Sequence, residues 1–91
     1  MKSLPHAVKS YKKTPEFTEH TVPKGLLNDH QTKAGVWGKI VILEGELDYT
    51  ILEPEKETIR LSTEQYGVVE PTMLHYIKPC NTVRFYLEFY K

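Results

Sequence analysis

Residues 35–51 read GVWGKIVILEGELDYTI, and their alternation constrains the fold more than any other stretch. The middle is rich in β-branched residues, which favour strands. Side chains in a strand alternate between faces, so Ile40 and Ile42 share one face with Gly38, while Lys39 and Val41 share the other. Ile40 and Ile42 are therefore expected in a core and Lys39 outside. Glu44-Gly45-Glu46 interrupts the run, and Leu47, Tyr49 and Ile51 resume it on one face. The pattern predicts strand, tight glycine turn, strand, because glycine tolerates positive φ.

A chain of 91 residues makes one domain with a modest core, to which dimerisation would add. Twelve basic and twelve acidic side chains give no net charge, which argues against a nucleic-acid footprint and a polybasic membrane arm. The apolar runs are too short to span a bilayer, and the first residues lack the apolar segment of a signal peptide. Cys80 is alone, so no intrachain disulfide forms, and a cytoplasmic location is expected.

Residues 1–13 read as an arm able to pair on a sheet edge, and 14–91 as the domain. Leu26 and Leu27 are expected in a strand or turn leading to His30. Further strands are expected at Thr58–Leu61, Gly67–Pro71, His75–Lys78 and Val83–Tyr90, with a turn at Pro79–Thr82. In the last strand Phe85, Leu87 and Phe89 share one face. No segment carries a sustained helical period, so the fold class is all-β, a jelly-roll sandwich or barrel.

Two stretches resemble cupin motifs: ILEGE, a strand entering a glycine turn, and GVVEPTMLH, which runs from a glycine through a proline to His75. More specifically, the runs TVPKGLLNDHQTKAGVWGKIVILEGELDYTILEP, GVVEPTMLHYI and FYLEFY resemble the small cupin-like domain family associated with tellurite-resistance protein B. That family's domain occurs alone or ahead of a methyltransferase. The resemblance implies a double-stranded β-helix, a bound metal and a link to tellurite or oxyanion stress, but not methyl transfer by this domain itself. The usual cupin ligand places fall on Thr32, Ala34 and Gly38, none of which suits a metal, so a site must be rebuilt from other residues.

His30 and His75 are the leading candidates, since neutral imidazole binds Zn, Fe or Ni. Glu70 or Glu88 would supply the carboxylate of a two-His-one-carboxylate site. Trp37, Tyr49 and Tyr86 are candidates to line a small pocket. Three readings follow, in order of preference. The first is a binding module for a divalent metal or small molecule, acting as a homodimer. The second is a metal-dependent oxygenase or isomerase using His30, His75 and a carboxylate. The third is a metal-free interaction domain.

Overall fold

A computed structural model describes all residues, 1–91. Six strands occur in chain order: β1 (Ser10–Lys13), β2 (Phe17–Thr18), β3 (Trp37–Ile51), β4 (Glu57–Leu61), β5 (Gly67–Val69) and β6 (His75–Tyr90). The only helical element is a 3-10 turn at Lys24–Leu27. The fold is all-β and antiparallel, with the sheet order β1-β6-β3-β4, β2 added on β6 and β5 on β3.

The long strands β3 and β6 form the frame. They pair along their whole length, from Trp37 opposite Tyr90 to Ile51 opposite His75. The turns expected at Gly45 and at Pro79–Thr82 are not turns. Both lie inside this one ladder, at the same height, as bulges where its register shifts. Leu43 is the extra residue on β3, and Asn81 and Thr82 are extra on β6. Gly45 has φ +75° and Asn81 has φ +58°, and bulged residues of this kind bend a strand sharply. The ribbon therefore folds over on itself. The bulge also explains why inward positions change from even (Ile40, Ile42) to odd (Leu47, Tyr49, Ile51) along one continuous strand.

Polar side chains close the bend. Val83 donates its backbone N–H to Glu19 Oε1 at 3.0 Å, and that bond holds the Glu19 carboxyl below the usual carboxylate range. Arg84 reaches Glu16 at 2.7 Å and Glu44 at 2.8 Å, tying the segment before β2 to both long strands.

Short strands widen each half of the bent ribbon. In one half β1 and β2 flank residues 84–90 of β6, and β5 flanks residues 38–40 of β3. In the other half β4 flanks residues 47–51 of β3. The inner faces of the halves meet in a single core that includes Ile40, Ile42 and Phe85 from one side and Leu47, Tyr49 and Ile77 from the other. Tyr49 spans the layers, its buried hydroxyl donating to the Val68 carbonyl at 2.9 Å. That bond removes the cost of leaving either group unpaired in the core.

Of the strand or turn expected before His30, the structure has the turn, a 3-10 turn that packs Leu26 against β6 and the core. Proline at its start and glycine within it leave little helical propensity, so burial of Leu26 carries the local structure. No helix is long and apolar enough to cross a membrane.

Candidate functional site

The ends of β3 and β6 remote from the bend meet at an open rim. There, inward parity puts His75 in line with Ile77 and directly across from Ile51. The loop after the 3-10 turn brings His30 to the free edge of β6. The two histidines exchange both backbone bonds, His30 N–H to His75 O at 2.8 Å and His75 N–H to His30 O at 2.9 Å. Their rings meet edge to face with centroids 5.4 Å apart, and Tyr49 lies edge-on to His75 at 5.7 Å. Thr32 fastens the same loop, its backbone carbonyl accepting from Thr72 N–H at 3.2 Å and its hydroxyl donating to Val36 O at 2.8 Å.

His75 is only 3% exposed. Its Nδ1 lies 3.0 Å from the Met73 carbonyl, which can only accept, so Nδ1 carries the proton and Nε2 is left as a bare acceptor. Burial, reinforced by the neighbouring His30, holds the His75 pKa below its ordinary 6.5 despite the opposing pull of the Met73 bond. The folded protein thus takes up a proton here less readily than the unfolded chain does. Stability from this group is complete above about pH 6.5 and falls as pH drops below that value, by no more than about 1.4 kcal/mol per pH unit for one proton. Urea unfolding at pH 7.5, 6.5 and 5.5 should show that fall, and His75→Gln should flatten it. The exposed His20 serves as control, and an unchanged slope in His75→Gln would remove His75 as its source.

Beneath the two rings lies a cavity of about 20 Å³. Its walls are mostly apolar, with Leu26, Ile40, Leu87 and Phe89 prominent, and Thr32, His30 and His75 supply polar atoms. Leu87 and Phe89 belong to the inward row already visible in the alternation of β6. Leu26 and Thr32 carry no such periodic signal, since a one-turn helix and a loop place them.

The structure brings His30 and His75 together but puts the other candidates elsewhere. Glu70 faces an open groove of about 430 Å³ on the outside, 3.6 Å from Lys2 Nζ. Glu88 stands between Leu87 and Phe89 on β6, so it takes the opposite face, across the ladder from Lys39. Tyr49 is a core residue, Tyr86 packs on the outer surface under Lys13 Nζ at 5.6 Å, and Trp37 pairs with Tyr90 beyond the cavity wall.

The expected divalent metal (Zn, Fe or Ni) is therefore corrected, and with it the metal-holding cupin reading and the oxygenase or isomerase alternative. No group of three or more His, Cys, Asp or Glu side chains comes together. Two imidazoles, one already tied through Nδ1 to a carbonyl, form too small a donor set; Glu88 lies on the opposite face of β6, and Glu70, just past the end of β5, faces the outer groove.

Comparison with known proteins replaces that reading. The chain is 31% identical over 72 residues to the probable S-adenosyl-L-methionine-dependent methyltransferase TehB of Haemophilus influenzae (strain Rd), covering 75% of this chain and 25% of the relative. The same protein from strain 10810 is 28% identical over 72 residues, with the same coverage. This chain thus spans about a quarter of the length of the curated relatives it matches. The crystal structure of TehB from Haemophilus influenzae superposes with a TM-score of 0.83 at 27% identity, covering 93% of this chain and 32% of that one. A crystal structure of a protein from E. coli (strain K12) shares the fold, with a TM-score of 0.87 at 23% identity, covering 100% of this chain and 97% of that one. Residues 12–87 match the family described as the TehB-like domain, and the chain belongs to that family.

Proposed function

We propose that this domain is the non-catalytic β-module of a TehB-type methyl-transfer system and acts beside a separate fold that binds S-adenosylmethionine. The observation that carries the reading is the lopsided coverage. The similarity to a probable S-adenosylmethionine-dependent methyltransferase takes in 75% of this chain but only 25% of the relative.

The residues present do not suit the cofactor. The chain has no α-helix, so it lacks the strand–turn–helix units on which nucleotide cofactors commonly rest. Its interior cavity, about 20 Å³, has room for a water molecule, whereas small-molecule sites run to roughly 300–1,000 Å³. The larger outer groove is open, mixes Glu53, Glu55, Glu57 and Glu70 with Lys2 and Lys56, and has no aromatic side chain on which an adenine ring could stack. Methyl transfer therefore belongs to another fold, and this module contributes binding surface.

Equilibrium dialysis and methyl transfer from labelled S-adenosylmethionine test the reading. The chain alone is expected to show neither binding nor transfer. Added to a TehB-type catalytic portion stripped of its own β-module, it is expected to associate and to change turnover. Transfer by the chain alone, or no association with the catalytic portion, would overturn the proposal.

A further inference from the structure

The His75 acceptor has a consequence independent of methyl transfer. Nε2 has no hydrogen-bond partner in the chain, yet no sealed side-chain nitrogen or oxygen goes unpartnered. Nε2 must therefore open onto the space beside it, which is the cavity that His75 lines. A buried, bare acceptor favours any occupant that donates a hydrogen bond, because leaving it unmet forfeits that bond in a low-dielectric surrounding.

Two hollows lie just outside. One, of about 230 Å³, is almost wholly apolar and involves Phe17, Pro23 and Leu26. The other, of about 240 Å³, lies over Gln31, Lys33 and Val36. His30 and Phe89 line the cavity and both hollows, and Leu26 and Leu87 line the cavity and the apolar one. His30 thus stands in the wall shared by the cavity and the hollows, with Phe89, Leu26 and Leu87 beside it in the wall toward the apolar one. The His30 backbone is pinned by the two bonds to His75, which leaves its ring as the part of this residue able to turn between the cavity and the hollows. The cavity and the apolar hollow, about 20 and 230 Å³, together suit a ligand smaller than those of typical small-molecule sites, which run to roughly 300–1,000 Å³.

The chemistry of the lining selects the occupant. Lys39 is the one Lys, Arg, Asp or Glu in the cavity wall, and its ammonium lies on the outer face, 4.5 Å from the Tyr66 ring centroid. No fixed charge is left inside to pair with an ion, and burying an unpaired ion costs heavily. We propose that the cavity and the apolar hollow form one site for an uncharged organic molecule with an apolar body and one hydrogen-bond donor, received at His75 Nε2 and gated by the His30 ring.

Phenol is the probe, with toluene lacking the donor and benzoate carrying a charge. With about seven non-hydrogen atoms, phenol is expected to bind in the millimolar range. Titration followed by nitrogen NMR of the histidine rings should show a saturable shift at His75 Nε2. Toluene should bind about tenfold more weakly, as the loss of one hydrogen bond implies, and benzoate should not compete. His75→Phe should weaken phenol by about tenfold for the same reason, while His30→Ala should bind it at least as well as wild type. Leu87→Trp, which fills the hollow and keeps the acceptor, should abolish binding and decides the matter should His75→Phe fail to fold. Phenol that leaves the His75 resonances unmoved, binds Leu87→Trp as well as wild type, or is matched by benzoate would overturn the proposal.

Discussion

Gly45→Ala is expected to destabilise the protein by at least about 3 kcal/mol, a large fraction of the total stability of a small domain, which is on the order of 5–15 kcal/mol. Two costs combine. Gly45 sits at φ +75°, where an L-residue loses roughly 1–2 kcal/mol. In addition, a Cβ there would overlap the Thr82 carbonyl oxygen and lie 3.0 Å from its carbonyl carbon. Both obstacles are backbone on the paired strand, so no side-chain rotation relieves them. Gly35 separates the two costs. It has φ +78°, but nothing lies within 4 Å of the place a Cβ would take, so Gly35→Ala should lose only the conformational part, about 1–2 kcal/mol. Urea midpoints of the two variants provide the measurement. If Gly45→Ala were no worse than Gly35→Ala, the close packing of β3 on the β6 bulge would be wrong.

Gly45 also shows where sequence reasoning reaches its limit. A glycine between two alternating segments signals either a hairpin turn or a bulge, and both use positive φ. What separates them is the partner strand. Here β6 runs beside β3 through the break, and its own irregular residues, Asn81 and Thr82, face the same point. Each segment taken alone therefore looks like an end, and only the long-range pairing turns two apparent turns into one bend. The inward faces of β3 and β6 are legible because a period of two needs no knowledge of the partner. All-β architecture follows from that and from the absence of a helical period.

The rim is legible in part. His30 and His75 stand out as residues able to hold polar chemistry, but their mutual backbone bridge joins positions 45 residues apart and depends on the topology. Glu70 draws attention through its nearness to His75 and Glu88 through its place on the last strand; strand parity turns Glu88 away from the cavity, and Glu70, past the end of β5, faces the outer groove. Glu19 gives no signal in the sequence because its role, accepting the N–H that the bulge frees at Val83, exists only once the bulge does. A relationship to part of a longer enzyme likewise identifies a module without assigning that enzyme's chemistry to it.

Phe85→Ala is the second large effect, expected at about 3–5 kcal/mol. Phe85 is fully buried at the centre of the longer ladder, with Ile42 opposite it on β3 and Phe17 opposite it on β2. The Phe17 and Phe85 rings meet at a tilt with centroids 5.7 Å apart, a favourable aromatic arrangement. Truncation removes the ring's transfer free energy and leaves a void that neighbours on two flanking strands cannot close without moving the ladder. β2 is only two residues long, and the Phe17–Phe85 contact supplies its apolar anchorage beside the Glu16–Arg84 and Glu19–Val83 bonds, so the segment from Pro15 to Val22 should lose amide-exchange protection more than β4 does. For a domain of this size the midpoint of thermal unfolding should fall by about 4–8 °C per kcal/mol lost. Phe85→Leu should recover part of the loss, since it restores apolar volume without the ring contact. A Phe85→Ala variant within about 1 kcal/mol of wild type would mean that the two halves of the folded ribbon are held together elsewhere, and the central place given to β6 would have to be abandoned.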